Sequence, residues 1–117
     1  AYETARHLDA RAVFTEKDGS AGMALKRGFR MDPHTRVLIV EDVVTTGGSI
    51  QKTIDHLRSR HAEIVGVGVL VDRSGGQVRF NVPYRALAQL SLESWPPEEC
   101  PLCKEGQPLI DPDDIVV

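Results

Sequence analysis

Two continuous apolar runs, Val37-Leu38-Ile39-Val40 and Ile64 to Val71, stand one helix-length segment apart. An unbroken apolar run, rather than an alternating one, marks a strand covered on both faces and is typical of a parallel sheet. Between the runs, Ile50, Ile54 and Leu57 recur at i, i+4 and i+7, with Gln51, Lys52, Asp55 and Arg58 on the other side. That spacing predicts an amphipathic helix ending near Arg60. Strand, helix and strand make a βαβ unit, whose crossover is almost always right-handed. The carboxyl ends of its parallel strands share one edge of the sheet. Glu41-Asp42 and Asp72-Arg73 therefore meet at the edge where open α/β proteins bind ligands. Gly66 and Gly68 in the second strand allow a neighbouring element to pack closely.

Around this unit the signals are weaker. Tyr2 to Leu8 has the spacing of the last two turns of a helix, and Arg11 to Thr15 reads as a short strand. Glu16 to Gly28 is polar and glycine-bearing and reads as a mobile loop, followed by a short strand around Phe29. Val78 to Phe80 and Leu87 to Leu92 are candidate strands. Five of the 7 prolines fall between Pro96 and Pro112, so residues 96–117 read as an extended acidic tail with at most one helical turn near Glu98 to Cys103.

Size and charge narrow the function. A chain of 117 residues, 41% hydrophobic, holds one core domain over 1–117. Its longest apolar run, eight residues from Ile64 to Val71, is far below the roughly 18 that span a bilayer, so we expect no membrane segment. The net charge of −3 conceals an asymmetry: residues 1–92 carry 13 Lys and Arg against 10 Asp and Glu, and residues 93–117 carry 1 against 7. A mild basic excess suits small anionic ligands, whereas nucleic-acid binding calls for a dense one-faced basic stripe. The first residues lack both an initiating Met and the basic and apolar regions of a secretory signal. They read like a helix entered midway, and we expect the N-terminal part of a longer protein to be missing. Cys100 and Cys103 form one Cys-Pro-Leu-Cys, which points to a reducing cytoplasm rather than a disulfide framework. One such pair supplies only two of the four ligands of a closed zinc site, and the context of a redox dithiol is lacking, so structural packing is the preferred reading. His7, His34, His56 and His61 are expected at the surface.

The chemistry concentrates in Glu41 to Ser49. Two adjacent carboxylates are followed by Thr45-Thr46-Gly47-Gly48-Ser49 at a helix start. Glycines let backbone N–H groups converge, the helix N-terminus adds partial positive charge, and the hydroxyls add donors, which together make a monophosphate cradle. The carboxylates suit vicinal hydroxyls, so phosphate and diol side by side point to a ribose 5-phosphate. A Walker A loop would need Lys where Gly48 stands, and a dinucleotide fingerprint fails because Gly66-Val67-Gly68 lies within a strand and Val71 replaces the third glycine. The bland alternative is an ordinary glycine-rich βα turn.

Val37 to Ser49, VLIVEDVVTTGGS, resembles the phosphoribosyl diphosphate (PRPP) motif of type I phosphoribosyltransferases. Val69 to Gly76, VLVDRSGG, and Cys100 to Gly106, CPLCKEG, resemble the bacterial orotate phosphoribosyltransferases. The resemblance implies an α/β fold: a mostly parallel sheet flanked by helices, a Rossmann-like core, here without the family's N-terminal hood. It implies transfer of the ribosyl 5-phosphate group of PRPP to orotate, giving orotidine 5′-monophosphate and diphosphate in pyrimidine synthesis, with Mg²⁺ held mainly through PRPP and water rather than by protein ligands. By similarity, Glu41 and Asp42 hold the ribose hydroxyls, with Asp42 also counted as catalytic. Val43, Val44, Thr45, Thr46, Gly47, Gly48 and Ser49 complete the PRPP site. Thr45 and Arg73 meet the orotate, a guanidinium being able to take a carboxylate in bidentate fashion.

Read alone, Arg73 would instead be a surface ion-pair partner, for example of Asp72. The family also closes a basic loop over the site, usually that of the partner in a homodimer. Lys17, Lys26 and Arg27 occupy the matching place, in a loop with no histidine and fewer cations than the best-known members carry. The family's hood, a lysine-bearing segment and the diphosphate loop would all precede Ala1, and without them little or no transferase activity is expected. The competing readings are a type I transferase for another base, a PRPP-binding regulator, and an inactive truncated form.

Overall fold

The computed structural model describes residues 1–19, 22–108 and 110. Its elements are α1 (Tyr2–His7), β1 (Thr15–Asp18), β2 (Gly22–Leu25), β3 (Arg36–Val44), α2 (Gly48–Ser59), β4 (Glu63–Asp72), β5 (Tyr84–Gln89) and α3 (Pro101–Lys104). The βαβ unit expected from the two apolar runs is present as β3, α2 and β4. Both strand pairings of the main sheet, ordered β3-β4-β5, are parallel. Helix α2 buries the predicted stripe, Ile50, Ile54 and Leu57, together with Thr53. These side chains pack with Ile39, Val44, Val67, Val69 and Val78 to form the core. Each such aliphatic residue contributes about 1.5–3 kcal/mol on burial, so this face of α2 is what holds the helix to the sheet. Among the described residues, no helix is long and apolar enough to cross a membrane.

Strand β3 runs past its apolar half. Val43 pairs with Val71 and Val44 with Asp72, so Glu41 and Asp42 are strand residues rather than the start of a loop. Ladder bonds come from the backbone, so charged side chains do not by themselves bar a strand.

The segment expected to be a mobile loop is different. Residues 15–18 and 22–25 pair antiparallel, from Thr15↔Leu25 to Asp18↔Gly22. Ser20 and Ala21, within the expected loop, lie outside the described residues. Two ion pairs bind the hairpin together, Arg27 to Glu16 at 2.8 Å and Lys26 to Asp18 at 3.1 Å. It rests on α2 through Thr15 Oγ1 and Thr53 Oγ1, 3.3 Å apart, and through the Leu25 N–H, which donates to His56 Nε2 at 3.2 Å. His56 is accordingly half-buried, not a surface residue, while His7, His34 and His61 are exposed. Residues 11–14 and Phe29 belong to no strand. Phe14 and Phe29 instead meet edge to face at 5.0 Å, with the Arg27 guanidinium 5.5 Å above Phe14.

Residues 78–80 are likewise irregular, and the last strand begins at Tyr84 instead of Leu87 because Tyr84 sits opposite Val67 in the parallel register. Leu87 is 84% exposed. The helical turn expected near the cysteines is α3, with Pro101 in its first turn. Both thiols are free and half-buried. Bonds from the Cys103 backbone and thiol hold the Cys100 thiol below the ordinary range, while the same thiol contact pushes Cys103 up. The last acidic residues of the tail, at 111–114, lie outside the described residues.

Candidate functional site

The phosphate cradle is built where β3 hands over to α2. Gly47 is the N-cap of the helix, with φ 78° in the left-handed region, a conformation that glycine adopts without steric cost. Its carbonyl accepts the first helical bond, from Gln51 N–H at 2.9 Å. The Thr46 hydroxyl lies 3.4 Å from the Gly48 N–H. The first-turn N–H groups have no partner within the helix, no acidic residue stands in that turn, and Thr45, Thr46, Gly48 and Ser49 are all exposed. Donors and the positive end of the helix thus face outward together, as anion binding requires.

Gly47 is itself buried, and a Cβ there would lie 2.9 Å from Val78 Cγ1 and 3.0 Å from Phe80 Cζ. The cradle therefore leans on the segment that follows β4. Glu41 and Asp42 are exposed on the strand leading into it. One oxygen of each accepts a neighbouring backbone N–H, Asp42 N to Glu41 Oε1 at 3.1 Å and Val43 N to Asp42 Oδ1 at 2.6 Å. The other oxygens have no protein partner among the described residues and can accept from hydroxyls. Val43 is exposed, but Val44 belongs to the core, so its side chain faces away from any ligand. Its carbonyl accepts the Arg73 N–H at 2.8 Å.

That last bond places Arg73 beside the cradle. A polar cleft of about 670 Å³ brings Thr45 and Thr46 together with Arg73, Ser74, Arg79 and Ser94. A second cleft, about 710 Å³ and more apolar, lies between α1 and β3. Size favours the second by a little, but only the polar cleft lies at the carboxyl ends of the strands with cations and hydroxyls on its walls.

Arg73 is not paired with Asp72, as the sequence alone had allowed. Asp72 is only 2% exposed, and its carboxylate is used elsewhere. Oδ1 accepts the Ser74 N–H at 2.7 Å and the Ser74 hydroxyl at 2.6 Å, and Oδ2 accepts the Tyr84 hydroxyl at 3.0 Å. The Ser74 hydroxyl bond holds the Asp72 carboxyl below the usual carboxylate range against the opposing effect of burial. Burial, with the adjacent Asp72 bond and charge, pushes Tyr84 up to about 12. Sequence reasoning missed Ser74, Arg79, Val78 and Phe80 as parts of this region. Only the Asp72-Arg73-Ser74-Gly75-Gly76 string could have signalled it.

The three basic loop candidates are not equivalent. Lys26 Nζ bonds the Lys17 carbonyl at 2.8 Å besides its pairing with Asp18. Arg27 is held by both Glu16 oxygens, which raises its pKa and lowers that of Glu16. Lys17 is exposed, and among the described residues its ammonium has no ion-pair partner. The structure brings none of the three into the polar cleft.

Comparison with known proteins agrees with this geometry. The model of the phosphoribosyl transferase domain matches residues 1–96. An orotate phosphoribosyltransferase of Caldanaerobacter subterraneus subsp. tengcongensis is 49% identical over 112 residues, 96% of this chain and 58% of that protein. One of Thermus thermophilus is 51% identical over 108 residues, 92% of this chain and 59% of that one. The chain thus spans under two thirds of the length of these relatives. Among solved structures, adenine phosphoribosyltransferase from Rhodothermus marinus superposes with a TM-score of 0.64 at 26% identity, covering 76% of this chain and 61% of that one. Orotate phosphoribosyltransferase from Aeropyrum pernix gives 0.59 at 31%, covering 77% and 53%. With a parallel sheet whose carboxyl edge carries the cradle, and a domain match over most of its length, the chain belongs to the phosphoribosyl transferase domain family.

Proposed function

We propose that this chain is the PRPP-binding and base-binding part of an orotate phosphoribosyltransferase. The observation that carries the reading is the placement of Arg73 across one cleft from Thr45 and Thr46. A ribose 5-phosphate seated on the cradle would direct its anomeric carbon along the edge where Arg73 waits for an anionic base. Relatives about half identical over nearly the whole chain are orotate enzymes, which supports orotate over other bases.

Departure of diphosphate leaves positive character at the anomeric carbon, so the protein's work is to fix both reactants and stabilise charge. Thr45 to Ser49 anchor the phosphate, Glu41 and Asp42 accept from the ribose hydroxyls, and Arg73 orients orotate through its carboxylate. Glu41 and Asp42 are exposed hard oxygen donors at the same edge and would suit a Mg²⁺ brought in mainly on PRPP. When bound, the ion neutralises charge on the departing diphosphate. Of the three loop cations, Lys17 is the one with no ion-pair partner among the described residues and so the one free to add to that neutralisation if the loop closes over the site. A homodimer acting in the cytoplasm completes the reading, on the family resemblance alone.

The test is transfer from PRPP to orotate, adenine and uracil, using the 117-residue chain and a version extended to the length of its relatives. Orotate as the preferred acceptor supports the reading, and preference for adenine would overturn it in favour of the Rhodothermus-like alternative. Arg73→Ala should raise KM for orotate about thirtyfold, equivalent to about 2 kcal/mol for a charge-assisted bond, with a smaller effect on PRPP. Unchanged orotate kinetics in that variant would remove Arg73 from the base site.

A further inference from the structure

The end of β4 holds a network that the proposed chemistry does not use. Asp72 is a buried carboxylate with three donors on it, two from Ser74 and one from Tyr84. The Ser74 hydroxyl donates its one hydrogen bond to Asp72 and accepts the N–H of Gln77 at 3.0 Å and of Val78 at 3.1 Å. A serine hydroxyl has one proton and two lone pairs, so every hydrogen-bonding position of Ser74 Oγ is occupied. Ser74 lines the polar cleft yet has no bond left for a ligand.

The network has two outputs. On one side is Arg73, held between Asp72 and Ser74 with its N–H on the Val44 carbonyl. On the other is Val78, which is buried and, with Phe80, forms the surface against which Gly47 sits. Phe80 is in turn braced edge to face by Tyr84 at 5.2 Å, the residue whose hydroxyl returns to Asp72. Contacts therefore run from Asp72 through Ser74 to Val78 at the floor of the phosphate cradle, and from Asp72 through Tyr84 to Phe80 on the same floor, with Arg73 tied in through its backbone.

We propose that Ser74 is a positioning residue which, fixed by the Asp72 carboxylate, sets loop 73–78 so that Arg73 and the phosphate cradle keep one spacing. The inference rests on the proposed function and adds to it the device that registers the two half-sites. Because Asp72 dictates where the Ser74 proton goes, the hydroxyl can only accept from Gln77 and Val78, and the loop has one hydrogen-bonded form.

The experiment compares Ser74→Ala, Ser74→Cys, Ser74→Thr and Tyr84→Phe with the parent chain. Its readouts are amide hydrogen exchange at Gln77 and Val78 and binding of orotate and of ribose 5-phosphate by calorimetry. Ser74→Ala should speed exchange at Val78 and weaken orotate, each by about tenfold, since it orphans two N–H groups, and weaken ribose 5-phosphate by about threefold. Ser74→Cys, which keeps the side-chain shape with a larger and poorer acceptor atom, should move both readouts the same way. Ser74→Thr should restore both readouts. Tyr84→Phe should stay within about twofold of the parent for orotate. Faster exchange without loss of orotate affinity would make the network a purely structural tie and overturn the proposal, as would unchanged exchange in Ser74→Ala. A parent chain that binds neither ligand would instead overturn the proposed function, taking this inference with it.

Discussion

Replacing Gly47 by alanine tests whether the cradle is shaped by its contact with the segment after β4. Two costs add. The backbone stands at φ 78°, where an L-residue pays about 1–2 kcal/mol. The new methyl would also stand 2.9 Å from Val78 Cγ1 and 3.0 Å from Phe80 Cζ, and forcing extra volume into a packed site costs about 1–3 kcal/mol. The total is about 2–5 kcal/mol, or roughly 8–20 °C in Tm for a domain of this size. Gly28 provides the comparison, because it has φ 73° and a methyl added to it would meet nothing within 4 Å. Gly28→Ala should therefore show the torsional cost alone, about 1–2 kcal/mol. Urea unfolding of both variants, followed by circular dichroism, gives the two values directly. The double variant Gly47→Ala/Val78→Ala should recover about 1 kcal/mol relative to additivity, since the nearer of the two clash partners is gone while Phe80 remains. Equal destabilisation by Gly47→Ala and Gly28→Ala, with no recovery in the double variant, would refute the packing argument.

Among the loop cations, Lys17→Ala should lower kcat of an extended, active enzyme about tenfold or more, whereas Lys26→Ala and Arg27→Ala should act first by loosening the hairpin, seen as faster exchange at Leu25. Identical kinetic losses for all three would remove the case for Lys17. Stability should also carry two pH signatures. Tyr84 has its pKa raised from 10.0 to about 12 on folding, so its contribution is complete below pH 10 and is lost as pH rises from 10 toward 12. Tyr84→Phe should flatten that alkaline limb in urea midpoints. Asp72 is shifted the other way, below its ordinary 3.8, so its contribution is complete above about pH 4 and falls away as pH drops through the lower folded value. Asp72→Asn should flatten the acid limb, and an unchanged limb would mean that another carboxylate governs it.

What the sequence made legible depended on whether one element's own residues carried the signal. The β3-α2-β4 unit did, because both strands bury apolar side chains and α2 repeats its contacts every turn. The cradle was legible for the same reason, as Thr45 to Ser49 are contiguous. The hairpin was hidden: Thr15 to Asp18 is polar, and its pairing with Gly22 to Leu25 is secured by ion pairs and by two contacts with α2. Its docking residue, His56, lies 31 positions from Leu25. The start of β5 was misplaced because register against Val67, not local hydrophobicity, decides it. Asp72 looked like a partner for its neighbour Arg73, since nothing local reveals that Tyr84, 12 positions on, would claim the carboxylate.

The parallel pairing of all three main strands bears on how the molecule is assembled. Neither β3 with β4 nor β4 with β5 can zip from a tight turn; each pairing must first close a long crossover, and such non-local contacts form slowly. The hairpin, whose strands are separated by a few residues, has no such delay. The carboxyl edge of the sheet therefore comes into being late, through the same loop closures that carry Thr45 to Ser49 and Arg73 to Val78. A nascent chain would remain unable to capture phosphate until β4 has docked, so ligand affinity during refolding serves as a clock for the final crossover rather than for collapse.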